Sequence, residues 1–168
     1  MLSNQELPAH TLWGLVADLM LNTQWQLATA ESCTGGLIAA ACTDLAGSSA
    51  WFERGFVTYS NDAKTEMLGV DAALIAQHGA VSEEVVRAMV QGALAHSRAQ
   101  VALAVTGVAG PSGGSAEKPV GTVWLGWATP AGVTTEKCLF EGDRAAVRRA
   151  TVHHAVRKLL GLLEQNRT

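Results

Sequence analysis

Charge is scarce in this sequence and nearly balanced. Of 168 residues, 12 are Lys or Arg and 15 are Asp or Glu, a net charge of −3. A protein that binds nucleic acid by displacing counterions needs an excess of cations, so no direct nucleic-acid contact is expected. Cysteine is also sparse. Cys33, Cys42 and Cys138 cannot all pair within one chain, and none forms the Cys-x-x-Cys spacing of a zinc or redox motif. No run of about 18 apolar residues is present to span a membrane. No basic start followed by an apolar run and a small-residue cleavage site marks a secretory signal. Internal repeats, low-complexity tracts and long linkers are missing as well. The expectation is a single cytoplasmic domain over residues 1–168. A hydrophobic content of 48% against 16% charged residues excludes a disordered chain.

What is present is an alternation of helical and strand patterns. Pro8 opens a run to Gln24 with Leu12, Leu15, Val16, Leu19 and Met20 at helical spacing. Trp25–Ala30 reads as a short buried strand, Gly35–Leu45 as an alanine-rich helix, and Phe56–Tyr59 as a second strand. Asn61 is placed to cap a helix that runs to Leu68 and stops at Gly69. Ser82, followed by Glu83 and Glu84, opens another helix to about His96, with acids where the helix dipole favours them. Gln100–Val105 reads as a strand, and Val120–Ala128 and Val133–Phe140 as a hairpin. Asp143 caps a long final helix with a core stripe that includes Ala146, Val147, Ala150, Val156, Leu159 and Leu160. The fold class is α/β, a mixed β-sheet flanked by helices. Trp124 and Trp127 sit three positions apart on one strand and so point to opposite faces. Both faces are therefore expected to be covered, by helices or by a second copy. This favours a homodimer.

Seventeen glycines cluster rather than scatter, and the clusters coincide with the polar residues of interest. Thr29-Ala-Glu-Ser-Cys-Thr-Gly-Gly36 joins a strand to a helix start. The free N–H groups there can be met by a capping Ser32 or Thr34, can hold an anion, or can stabilise a nucleophilic hydroxyl and the oxyanion it forms. Gly35 and Gly36 would let a substrate approach the backbone. Cys33 competes with Ser32, because a thiol at a helix N-terminus has a lowered pKa. Residue pattern alone leaves these readings open.

A serine nucleophile needs a base. His10, His78, His96, His153 and His154 sit in no catalytic string and read as structural or solvated. Lys64, in Tyr59-Ser-Asn-Asp-Ala-Lys64, is the better candidate. A lysine with the ordinary pKa of about 10.4 is neutral in about one molecule in 2,500 at pH 7. The helix dipole is worth too little to change that, so desolvation must do it. The segment Thr106-Gly-Val-Ala-Gly-Pro-Ser-Gly-Gly114 matches neither a phosphate loop nor a dinucleotide fingerprint. Its Gly107, Gly110 and Gly113 could still let N–H groups converge on an oxygen or anion. Arg144 could supply a charged fork for phosphate.

Five blocks then follow in order: Ala30-Glu-Ser-Cys-Thr-Gly-Gly36, Tyr59-Ser-Asn-Asp-Ala-Lys64, Val105-Thr-Gly-Val-Ala-Gly-Pro-Ser-Gly-Gly114, Lys118-Pro-Val-Gly-Thr-Val123 and Phe140-Glu-Gly-Asp-Arg144. Together they resemble the signature of the CinA C-terminal domain family, from about Thr11 to Leu163. The family's members are nicotinamide-nucleotide amidases, and longer relatives carry an additional N-terminal domain; this chain looks like the stand-alone form.

The resemblance implies hydrolysis of nicotinamide mononucleotide to nicotinate mononucleotide and ammonia, without metal or other cofactor. By position, Ser32 resembles the nucleophile and Lys64 the base, with Tyr59 and Thr106 as further polar active-site residues. Cys33, Thr34, Gly35, Gly36 and Asn61 are the expected substrate contacts on one side, and Gly107, Gly110, Gly113 and Arg144 on the other. The oxyanion is expected on N–H groups of the Ser32–Gly36 turn or of the Thr106–Gly107 segment. The rivals are a non-catalytic nucleotide-binding module, a thiol enzyme or redox sensor built on Cys33, and a competence-associated interaction protein.

Overall fold

The computed structural model describes residues 7–166, so the expected domain of 1–168 runs at both ends outside the described residues. Five strands form one mixed sheet in the order β2-β1-β3-β4-β5. Strand β1 (Leu27–Glu31) lies parallel to both β2 (Phe52–Val57) and β3 (Val101–Gly107). Strands β3, β4 (Thr122–Thr129) and β5 (Gly132–Leu139) are successively antiparallel. From β1 the chain passes through α2 (Leu37–Thr43) to β2 on one side. It then returns through α3 (Asn61–Leu68), α4 (Ala72–His78) and α5 (Glu83–Ala95) to β3 on the other. The C-terminal ends of β1 and β3 are thus the topological switch point, where open α/β sheets leave a crevice.

The two faces of the sheet differ in size of side chain. Leu27, Val101, Leu103, Val105, Val123, Leu125 and Trp127 pack with α1 (Ala9–Thr23), α2 and α6 (Arg144–Gln165). The opposite face presents Ala28, Ala30, Ala102, Ala104 and Ala128 to Val86, Met89, Val90 and Ala93 of α5. Alternation along strands puts successive residues on opposite faces, and the alanine face lets α5 lie close to the sheet. Gly92 of α5 extends this close packing to α3, because a Cβ there would stand 2.1 Å from the Leu68 carbonyl oxygen.

The two tryptophans of β4 lie on opposite faces of the sheet, as their spacing predicts. Trp127 is fully buried on the α6 face and donates its indole N–H to the Ala155 carbonyl at 3.0 Å. Trp124 packs into the cluster around α5. Helices therefore cover Trp127 completely and Trp124 in part. In α6, Val147, Val156, Leu159 and Leu160 are buried as expected, whereas Ala146 and Ala150 are half-buried.

Several boundaries depart from the sequence pattern. Strand β2 begins at Phe52 rather than Phe56. It is an edge strand, and its half-exposed Glu53-Arg54-Gly55 stretch breaks the apolar run. Helix α4 has no counterpart in the pattern; it is seven residues long and is opened by Asp71, which accepts from the Ala73 N–H. The cap of α3 is Ser60, whose hydroxyl accepts from the Ala63 N–H at 3.0 Å, and Asn61 is the first helical residue. Among the described residues, no helix is long and apolar enough to cross a membrane.

Candidate active site

Ser32 is the first residue beyond β1, at the switch point. Its own N–H donates to the Val105 carbonyl at 3.1 Å, extending the β1–β3 pairing by one residue. The hydroxyl faces Lys64, whose Nζ donates to Ser32 Oγ at 3.1 Å and to the Thr58 carbonyl at 3.0 Å. Lys64 is 1% exposed, and no carboxylate is among these partners. Burial pushes its amine below the ordinary lysine range, opposed only by the Cys33 thiol. The neutral form that a general base requires is therefore favoured by desolvation.

The helix that follows Ser32 is capped by neither Ser32 nor Thr34. Glu31, the last residue of β1, is buried and turns its carboxylate onto the turn. It accepts from Thr34 Oγ1 at 2.6 Å, from the Ile38 N–H at 2.8 Å and from the Ala39 N–H at 3.0 Å. These charge-assisted bonds supply what the helix start lacks, and Ser32 Oγ remains free for Lys64. The Gly35 N–H is also occupied, donating to the Ser32 carbonyl at 3.0 Å. The expectation of a generally open set of turn amides is corrected to the Cys33, Thr34 and Gly36 N–H groups, which lie outside these bonds.

Cys33 does not fit the reactive-thiol reading. It is buried against the core, and burial pushes its thiol up to about 11. Desolvation outweighs the favourable backbone contact at the turn, so the thiol stays protonated near neutral pH.

The cavity above Ser32 measures about 320 Å³, and it gathers Ser32, Cys33, Tyr59, Asn61, Lys64, Thr106, Gly107, Gly110, Gly113 and Arg144 on one wall or another. Thr34, Gly35 and Gly36 lie outside that lining. Thr34 is buried on Glu31. Gly35 and Gly36 have φ of 58° and 105°, a backbone conformation that the turn from β1 into α2 requires and that glycine adopts without strain. Gly107 and Gly110 also have a packing reason: a Cβ would lie 2.7 Å from Val123 Cγ2 and 2.4 Å from Val120 Cγ1, respectively. Thr106 spends its hydroxyl on the Ala80 carbonyl at 2.9 Å. At the mouth, Arg144 donates to the Gly110 carbonyl at 3.0 Å and to the Tyr59 hydroxyl at 2.9 Å.

None of the five histidines lines this cavity. His154 instead joins Glu136 and Cys138 in a cluster of donor atoms on β5 and α6. Lys158 pairs with Glu136 at 3.2 Å and Arg157 lies 3.0 Å from His154 Nδ1, so two cations already border that cluster. Two residues that hold the turn were not singled out from sequence. Glu31 offered one signal, a charge at the end of an otherwise apolar strand. Arg148 offered another, its place four residues after Arg144 on one helix face.

A family model described as the CinA C-terminal domain matches residues 9–163. The chain is 58% identical over 140 residues to an Escherichia coli (strain K12) protein named nicotinamide-nucleotide amidohydrolase PncC, covering 82% of this chain and 84% of that one. It is 56% identical over 155 residues to a Pseudomonas putida protein of the same name, covering 92% and 97%. Among solved structures, the competence/damage inducible protein CihA from Agrobacterium tumefaciens superimposes with a TM-score of 0.89 at 47% identity, covering 92% of this chain and 94% of that one.

Proposed function

The chain belongs to the CinA C-terminal domain family, and on that premise we propose that it hydrolyses the carboxamide of nicotinamide mononucleotide to nicotinate mononucleotide and ammonia. The observation that carries this reading is the buried contact of 3.1 Å between Lys64 Nζ and Ser32 Oγ. An amine with no carboxylate partner, kept from water beside a hydroxyl, is the requirement for a serine nucleophile that uses lysine as its base.

In the proposed reaction Ser32 Oγ attacks the carboxamide carbon while Lys64 takes the hydroxyl proton. The carbonyl π-electrons move to oxygen, and the resulting oxyanion rests on the Cys33 N–H, the donor that follows the nucleophile. The C–N bond then breaks, Lys64 returns its proton to the departing nitrogen, and ammonia leaves. Water attacks the Ser32 ester with Lys64 again as base, releasing the carboxylate and restoring the hydroxyl. Tyr59, Asn61 and Arg144 hold the nucleotide at the rim, with the free N–H groups of the Arg144 guanidinium directed to phosphate. Thr106 keeps the end of β3 in place through Ala80.

Ammonia release from nicotinamide mononucleotide tests the reading directly. Wild type and Cys33→Ala are expected to turn over, whereas Ser32→Ala and Lys64→Met are expected to lose most of that activity. A Cys33→Ala variant that is dead beside an active Ser32→Ala would move the nucleophile to sulfur. Saturable binding without product in the wild type would leave a nucleotide-binding module.

A further inference from the structure

Arg148 reaches the Ser32 turn from behind. It lies one helical turn after Arg144 on α6, yet it borders a second cavity, of about 620 Å³, rather than the catalytic one. From that side its Nε donates to the Cys33 carbonyl at 3.2 Å and its Nη2 to the Thr34 carbonyl at 3.0 Å. A planar guanidinium fork supplies donors to these two successive carbonyls at once.

The consequence runs back along the chain. In a trans peptide the N–H points opposite to the carbonyl. With the Thr34 carbonyl on Arg148, the Gly35 N–H points away from it and donates to the Ser32 carbonyl at 3.0 Å. That bond fixes the Ser32–Cys33 peptide in turn, and with it the direction of the Cys33 N–H. We propose that Arg148 is a positioning residue for acyl transfer, holding the peptide planes of the nucleophile turn so that the Cys33 N–H faces the developing oxyanion. This rests on Ser32 being the nucleophile. Arg148 touches no reacting atom; it acts through the turn.

The second cavity also makes the idea testable by chemical rescue, because it offers dissolved guanidinium a route to the vacated place. Full-length Arg148→Ala and Arg148→Lys are assayed for ammonia release from nicotinamide mononucleotide, with and without millimolar guanidinium or methylammonium, and their melting is recorded. In Arg148→Ala, kcat is expected to fall by about 100-fold, the size typical of a lost oxyanion donor, with KM little changed. Guanidinium should raise that kcat and methylammonium should not. Arg148→Lys, a point charge without the fork, should stay impaired while melting near the wild type. Wild-type kcat in either variant, a loss confined to KM, or an Arg148→Ala defect that guanidinium leaves untouched would overturn the proposal. Should Arg148→Ala not fold, Arg148→Lys decides it alone by the same comparison of kcat. Failure of the underlying reading looks different: ammonia release then persists in Ser32→Ala or is absent from the wild type.

Discussion

At the floor of the catalytic cavity Ser32, Lys64 and Thr106 are 8%, 1% and 1% exposed, whereas Tyr59 at its rim is 59% exposed. The floor is held by backbone: Val105, Thr58 and Ala80 carbonyls fix Ser32, Lys64 and Thr106 in turn. The rim hangs on one exposed side chain, Arg144, which donates to the Tyr59 hydroxyl and to the Gly110 carbonyl. A floor built this way costs nothing to reorganise during reaction, while a rim built this way can yield to a ligand. The contrast separates the proposed chemistry from the proposed selection of substrate. Floor substitutions should lower kcat, and rim substitutions should raise KM.

The largest effect is expected for Ser32→Ala, a fall in ammonia release on the order of 10⁴-fold or more, with binding of nicotinamide mononucleotide retained in calorimetry. Lys64→Met follows, at roughly 10²–10⁴-fold in kcat, the range of a lost general base. Its Tm should rise, since a thioether replaces a desolvated amine. The pH dependence has a definite sign. The base must be neutral, so kcat/KM climbs with pH as Lys64 loses its proton and levels off below the ordinary lysine value of about 10.4, because burial lowers the pKa. Stability moves the same way. Between the lowered folded value and about 10.4 the unfolded chain binds more protons, so stability rises with pH there, and Lys64→Met should remove that slope from denaturant titrations.

The rim comes next. Arg144→Lys exchanges a fork for a point charge and should raise KM roughly 10-fold, corresponding to about 1.4 kcal/mol, with a smaller change in kcat. The least effect is expected for Tyr59→Phe, where losing one exposed bond to Arg144 is worth about 0.5–1 kcal/mol, or a few-fold in KM. Initial-rate kinetics on both variants checks the order. A Tyr59→Phe variant that loses kcat as deeply as Lys64→Met would break the division between floor and rim.

Much of this arrangement was legible before any coordinates. Periodicity located α1, α5 and α6, and Ser82 and Asp143 cap as their positions imply. The blocks around Ser32 and Lys64 pointed to the two residues that meet at 3.1 Å. What stayed hidden depends on burial, which no spacing encodes. The same turn that would activate an exposed Cys33 leaves a buried one protonated, and only the packing decides between them. Glu31 drew no reading of its own, yet its carboxylate receives the Ile38 and Ala39 N–H groups at the start of α2. The positive φ values of Gly35 and Gly36, which the turn itself requires, were equally out of reach of the pattern.

The missing Cβ of Gly92 reaches further than packing. It lets α5 lie against the Leu68 carbonyl, at the end of the same helix that carries Lys64. The hydroxyl and the amine come from opposite ends of a crossover, so nothing local in the chain sets their separation. The Thr58 N–H bond to the Glu31 carbonyl, 2.8 Å, and the Lys64 bond to the Thr58 carbonyl, 3.0 Å, set it instead, while the Gly92 contact steadies the far end of α3, so the gap across which a proton would travel is a dimension of the scaffold.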